Sequence, residues 1–336
     1  MLKRIKELKK QHNAVIIAHH YAPIETHEIS DYLSDSYGFF TDIKTIGKRD
    51  DIDIVIVLAP TFFAEMAVAM IPNKKVIMPL LSDCPIASHS NLSFDKIFQF
   101  IEQYPNLPFV CYGTSPLPIK LLADYITIPG RVVETIESIG VPQVLFAGES
   151  NCADEAVEHL GDRIINYPYN PTCNVYNSAV VADVTKAREE HKDCMVLVHP
   201  ECKPEVTEVA DRVMGTGDML TLIKENGNSV DTYVLGTEEG FYERAKKEFP
   251  EKNIVHLTSK LLCNTFKVFR LEVIASSLED IESAPRIELN QAVADKIRIL
   301  FEEFFNQYKV PLTISDSQRD LNVKSQSQNR ELELTY

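Results

Sequence analysis

Three cysteines, Cys84, Cys173 and Cys263, stand 89 and 90 positions apart, and each closes one copy of the same internal pattern. A repeat at a fixed period constrains a fold strongly, because each copy is one unit that must bury its apolar surface against the others. The opening segments VIIAHHYAPIETHEISD (15–31), FVCYGTSPLPIKLLAD (109–124) and MVLVHPECKPEVTEVAD (195–211) each run apolar strand, polar turn, proline, helix and aspartate. Each continues with a second apolar strand, a helix carrying Glu then Ala, and a third strand ending on the cysteine. Strands that alternate with helices imply parallel sheets, since parallel strands need crossover connections. The expected fold is α/β: three similar three-layer α/β/α domains with parallel sheets around a pseudo-threefold axis, spanning 1–84, 85–173 and 174–263. A C-terminal segment, 264–308, reads as helical from about 277 and is expected to pack back on the first repeat. The polar stretch 309–336 lacks apolar periodicity and reads as a mobile tail.

Composition narrows the partners. A chain of 336 residues with 45% hydrophobic content can bury a large core. Its longest apolar runs, DIVIVLAP (53–60) and KVIMPLL (75–81), are strand-sized and short of the roughly 18 residues of a membrane span. Residues 1–11 alternate charge with apolar positions, which suits an amphipathic first helix and not the apolar core of a signal peptide. A net charge of −15 argues against a nucleic-acid partner, which needs concentrated Lys and Arg. Seven cysteines, an odd number, point to a reducing cytoplasm with thiols free, catalytic or metal-bound. The expected partners are a small anionic substrate and the iron–sulfur assembly machinery, with no nucleic acid and no membrane; the chain is expected as a monomer or homodimer.

Functional groups of open α/β sheets gather at the carboxyl ends of the strands, where the three cysteines and the three polar turns fall. Three thiolates from distant repeats match structural zinc poorly, because its ligands come in close pairs and fill four positions. They suit a 4Fe–4S cluster, which takes four cysteines when fully ligated, so three leave one iron open. An open iron is a Lewis acid for a hydroxyl or carbonyl. A buried cysteine more often behaves as a small apolar residue, which is the reading for Cys111, Cys152, Cys194 and Cys202. For Cys84, Cys173 and Cys263 the triplicated spacing outweighs it. Asp31, Asp124 and Asp211 recur at one repeat position and read as capping or packing residues, and His20 and His27 as structural.

In IIAHHY with Asp35-Ser36, DCPIASH around Cys84, LVHPEC, GTGDM (215–219), GTEEG (236–240) and the cysteine of LLCNTFKV, the chain resembles the quinolinate synthase family over about residues 5–300. The resemblance implies three α/β domains around a 4Fe–4S cluster held by Cys84, Cys173 and Cys263. It implies a transferase and dehydratase of NAD biosynthesis that condenses iminoaspartate with dihydroxyacetone phosphate, losing phosphate and water. Tyr21, Tyr112, His199 and Glu201 are then the expected catalytic residues, and His19, Ser36, Thr114, Arg131, Tyr176 and Thr216 the expected substrate contacts. The departures cluster in the middle repeat. Thr114 stands where the family has an amide, Thr127-Ile128-Pro129-Gly130-Arg131 replaces a Cys-Thr-Ser-Ala-Asn turn, and Tyr176 replaces a histidine. In the third repeat Gly215 replaces a serine and Asp218 a glutamine. Two further readings follow: a relative running related cluster chemistry on another small acid, and a non-catalytic iron–sulfur sensor. The retained His19, Tyr21, Tyr112, Glu201 and Thr216 argue against the sensor, which needs only the cysteines.

Overall fold

The strands form where apolar runs are buried on both faces. In a computed structural model that describes residues 1–89, 91–226 and 229–307, all six residues of β1 (Ala14–His19) and all five of β3 (Ile54–Leu58) are buried. Such continuous burial is the mark of a sheet covered by helices on each side. The first repeat begins with α1 (Leu2–Gln11) and continues β1, α2 (Ile24–His27), β2 (Tyr32–Ser34), α3 (Ser36–Gly47), β3, α4 (Thr61–Met70) and β4 (Lys75–Ile77). The second runs α5 (Phe94–Glu102), β5 (Phe109–Tyr112), α6 (Leu117–Leu122), β6 (Tyr125–Thr127), α7 (Val132–Ile139), β7 (Val144–Ala147), α8 (Ser150–Leu160) and β8 (Ile164–Asn166). The third runs α9 (Val181–Glu190), β9 (Met195–Val198), α10 (Pro204–Thr207), β10 (Arg212–Val213), α11 (Thr216–Glu225), β11 (Thr232–Gly236), α12 (Glu239–Glu248) and β12 (Asn253–His256). Two helices, α13 (Leu271–Glu279) and α14 (Gln291–Gln307), follow.

The three sheets share one topology, β2-β1-β3-β4, β6-β5-β7-β8 and β10-β9-β11-β12, and every pairing is parallel. This is the expected three-unit α/β architecture with one strand more per repeat. The additional strands, β2, β6 and β10, have two or three residues, too few for a periodicity to show. The recurrent aspartate stands just before each of them and explains its own recurrence. Asp31, Asp124 and Asp211 each accept from the amide of Ile16, Phe109 and Val196 respectively, at 2.8 Å, and return their own amide to the same residue's carbonyl at 2.8–2.9 Å. The pair of bonds ties the short strand to the central one, a structural duty.

In each sheet the first and third strands lie side by side and their outgoing chains diverge, which opens a crevice between the two turns. The cysteines do not end strands, as the pattern suggested; each lies seven residues past one, since β4 ends at 77, β8 at 166 and β12 at 256. The expected C-terminal helix is broken: residues 280–290, which include Pro285, are not helical. Its second half, α14, packs on α4 of the first repeat and also on α6, α7 and β6 of the second. The expected mobile tail, 309–336, lies outside the described residues. No helix among the described residues is long and apolar enough to cross a membrane.

Candidate active site

Each repeat opens its site with the same backbone turn. The amides of Ala22, Ser115 and Cys202 donate to the carbonyls of His19, Tyr112 and His199 at 2.8–3.0 Å. His19, Tyr112 and His199 are therefore equivalent, and so are Tyr21, Thr114 and Glu201 two residues on. In the first and third repeats the histidine Nδ1 accepts the amide of that second residue, Tyr21 at 3.3 Å and Glu201 at 3.2 Å. Burial pushes both His19 and His199 down to about 3, so each is a neutral imidazole at neutral pH.

Side chains from all three repeats meet. The Tyr21 and Tyr176 hydroxyls hydrogen-bond to each other, Tyr176 Oη lies 3.1 Å from Thr237 Oγ1, and the Tyr176 ring stacks on His199 at 4.1 Å and 8°. His19 lies 4.3 Å from the Tyr21 ring, and its Nε2 is 3.4 Å from Ser36 Oγ. On the other side, Tyr112 Oη donates to Glu201 Oε1 at 2.8 Å. Burial raises the Glu201 carboxyl well above the usual range, and bonds from Tyr112 and Cys173 pull it part of the way back. Burial likewise raises Glu149, whose rise the neighbouring Glu201 charge extends.

Two of the three thiols, Cys84 and Cys173, are charge neighbours of Glu201. Burial pushes Cys84 up to about 12, with Glu201 and Cys263 adding to the rise. Cys173 is raised by burial, then by Glu201, and further by Cys84. Two of the three cysteine loops are held by a buried carboxylate: Glu149 Oε1 accepts the Cys173 amide and Glu238 Oε1 the Cys263 amide, both at 3.1 Å. These glutamates are the N-caps of α8 and α12; the equivalent position in the first repeat, before α4, is Pro60. Among the described residues no three His, Cys, Asp or Glu side chains are gathered to hold a metal ion. An iron–sulfur cubane makes no such demand, since each cysteine binds its own iron. The donor set, three thiols from three equivalent loops with mutual charge contact, fits that group better than a single ion.

The remaining expected contacts sit at helix starts. Ser36 opens α3 and Thr216 opens α11, and Asp35 joins the two: its Oδ1 accepts from Gly38 at 2.7 Å and its Oδ2 from Gly217 at 3.1 Å. The Asp35 carboxylate thus bridges the first turns of two helices, whose positive dipole ends favour negative charge there. Arg131, the residue before α7, is buried with Glu134 at 3.9 Å and Asp218 at 3.7 Å. Thr114 makes no hydrogen bond to any of the other site residues; its buried Oγ1 has no partner among the described residues. The sequence reading missed Glu149, Asn151, Thr237, Glu238, Asp35 and Lys267 as site neighbours. Aligning Gly148-Glu149 with Gly236-Thr237-Glu238 behind the central strands would have flagged the two capping carboxylates.

Known proteins of similar sequence point to one family. The family model described as "Quinolinate synthetase A protein" matches residues 3–306. A quinolinate synthase of Alkaliphilus metalliredigens is 32% identical over 281 residues, covering 83% of this chain and 90% of that protein. One of Pyrococcus abyssi is 30% identical over 303 residues, 90% of this chain and 97% of that protein, and one of Thermodesulfovibrio yellowstonii 29% identical over 280 residues, 83% and 89%. With the three-repeat fold, the three equivalent cysteine loops and a family match spanning nearly all of the described chain, the protein belongs to the quinolinate synthase family.

Proposed function

We propose that the chain makes quinolinate from iminoaspartate and dihydroxyacetone phosphate, with Cys84, Cys173 and Cys263 holding a 4Fe–4S cluster. The observation that carries the reading is the placement of Glu201, which accepts from Tyr112 and is a charge neighbour of both Cys84 and Cys173. When bound, the cluster would supply a Lewis-acidic iron lacking a protein ligand, able to polarise a substrate hydroxyl or carboxylate. The protein supplies the proton movements. Glu201, a carboxyl held near neutrality by burial, takes a proton from substrate carbon or nitrogen and returns it to a departing hydroxyl. Tyr112 keeps the ionised form of Glu201 accessible by donating to it. Tyr21, hydrogen-bonded to Tyr176 and flanked by the neutral His19, offers a phenolic proton from the opposite side of the site. The positive starts of α3 and α11, with Ser36 and Thr216, hold the substrate's anionic groups.

The small anionic substrate, the iron–sulfur assembly machinery as donor, a cytoplasmic setting and a monomer or homodimer are part of this proposal. They rest on the positive dipole ends at those helix starts and on seven cysteines that are all free thiols. A second reading, the same chemistry on a different small acid, is favoured by one observation: Thr114, which stands where the family has an amide, keeps a buried Oγ1 without a partner among the described residues. A hydroxyl so placed asks for a ligand group. Anaerobic purification should give a brown protein with about four irons per chain, and Cys173→Ala should lose the colour. Zinc in place of iron would sink the cluster assignment. Quinolinate formation by the iron-loaded protein then decides the substrates; an intact cluster with no quinolinate would favour the second reading, and Thr114→Asn with Tyr176→His should then raise quinolinate output.

A further inference from the structure

Two polar contacts reach from one part of the chain into the opening turn of another repeat. From the second repeat, Asn151 in the first turn of α8 donates through Nδ2 to the Glu201 carbonyl at 2.8 Å. From the loop just past Cys263, which closes the third repeat, Lys267 donates through Nζ to the Tyr21 carbonyl at 3.0 Å. Tyr21 and Glu201 are equivalent residues, so the structure holds the same backbone oxygen in two repeats with two unrelated donors. Between the first and second repeats, Glu65 of α4 grips Lys120 of α6 at 2.7 Å.

The donors are themselves fixed. Lys267 pairs at 3.0 Å with Glu238, which is fully buried and accepts from the amides of Cys263 at 3.1 Å and Gly240 at 2.6 Å. A Cβ at Gly240 would lie 2.7 Å from the His20 carbonyl oxygen, so the first turn of α12 presses directly on the turn that carries Tyr21. Asn151 is buried two residues past Glu149, whose Oε2 caps α8 at the Cys152 amide at 2.9 Å. A carbonyl held from behind fixes its peptide plane and with it the direction of the Cα–Cβ bond, leaving only the rotamers about it.

We infer that Asn151 and Lys267 are positioning residues, which aim Glu201 and Tyr21 into the site from outside their own repeats. The inference rests on the assignment of Glu201 and Tyr21 as reacting groups. Neither donor needs to touch substrate, since both are committed to backbone oxygens.

The test is amide hydrogen exchange followed by mass spectrometry on the full iron-loaded chain, with kcat and KM measured per bound iron. Asn151→Ala should speed exchange in 199–206 and leave 19–27 as in the parent. Lys267→Met should do the reverse, and Lys267→Arg should restore the parent pattern. In both variants kcat should fall about tenfold, the rate equivalent of one lost hydrogen bond to a buried carbonyl, with KM little changed. Lys267→Met strands a buried carboxylate, so Lys267→Met with Glu238→Gln is measured beside it. Exchange that rises only around the substituted residue, or rises in the crossed pattern while kcat per iron stays at the parent value, overturns the inference. A parent that makes no quinolinate refutes the functional reading alone, because the exchange pattern is read without turnover.

Discussion

Replacing Tyr112 by phenylalanine tests the hydroxyl that lies 2.8 Å from Glu201 Oε1 and 3.5 Å from Cys152 Sγ. The ring is fully buried, so Phe keeps the packing and removes only the hydroxyl that donates to Glu201 Oε1 at 2.8 Å. A hydrogen bond to a charged group contributes about 1.5–3 kcal/mol, and 1.36 kcal/mol corresponds to one pH unit, so the ionised form of Glu201 should become harder to reach by about 1–2 pH units. The sign follows from which form the donor favours: removing a donor to the carboxylate penalises the charged state and raises the pKa. The Cys173 thiol, the other side-chain donor to Glu201, would not compensate in iron-loaded protein if it holds the proposed cluster, because a metal-bound cysteine is a thiolate with no proton to give. If Glu201 must be ionised to accept a proton, the acid limb of kcat/KM moves upward by the same amount. Rates of Tyr112→Phe should then fall about 10–100-fold on the acid side and approach the parent's at high pH. The assay is anaerobic quinolinate formation across pH, at matched iron content. A limb that stays in place under a plateau lowered at every pH would refute the reasoning, and would make Tyr112 a proton donor in its own right.

Three other substitutions test separate parts of the structure. Lys120→Met leaves Glu65, 14% exposed, without the fully buried cation 2.7 Å away; it should cost about 3–5 kcal/mol in urea unfolding, and Lys120→Met with Glu65→Leu should recover most of that. His199, pushed from 6.5 to about 3 by burial, refuses a proton that the unfolded chain accepts, so its contribution to stability is present above pH 6.5 and is lost as pH falls towards 3. By pH 5 the loss is about 2 kcal/mol, and His199→Gln should flatten the fall in unfolding free energy between pH 7 and 5 by that amount relative to the parent. The comparison is with the parent because Glu149 and Glu201, raised by burial, change stability with the opposite sign. Gly217→Ala would set a Cβ 2.4 Å from Asp35 Oδ2 and expel the carboxylate that joins α3 to α11. A raised KM and a loss of about 1 kcal/mol, typical of a lost helix cap, should appear in steady-state kinetics and thermal unfolding.

The architecture was legible because it is written three times. Spacings of 89 and 90 residues between cysteines are the spacing of whole domains, and each repeat places its cysteine seven residues beyond its fourth strand. What the pattern could not carry was the short and the distant. Strands β2, β6 and β10 depend on a bond from an aspartate 15 residues from its partner, a signal that looks in sequence like any helix cap. Asn151 and Lys267 act on residues 50 and 246 positions away, which no local propensity records.

Repetition also conceals where the symmetry is broken, and the site lies at the breaks. Two of three equivalent N-cap positions carry a buried glutamate holding a cysteine amide, but Glu238 has Lys267 beside it, whereas among the described residues no cation pairs with Glu149. The equivalent of Lys267, four residues past the cysteine, is Asn177 just after the second repeat. Glu149 therefore lies beside Glu201 with no cation to hold it ionised, and the Glu201 charge makes Glu149 harder still to ionise. Three copies of one turn thus yield a neutral imidazole with a phenol, a phenol with a lone hydroxyl, and a neutral imidazole with a carboxyl of raised pKa. A strictly symmetric site could hold the cluster but could not tell one face of a substrate from the other; directional proton transfer needs the copies to differ, and they differ at Tyr21, Thr114 and Glu201.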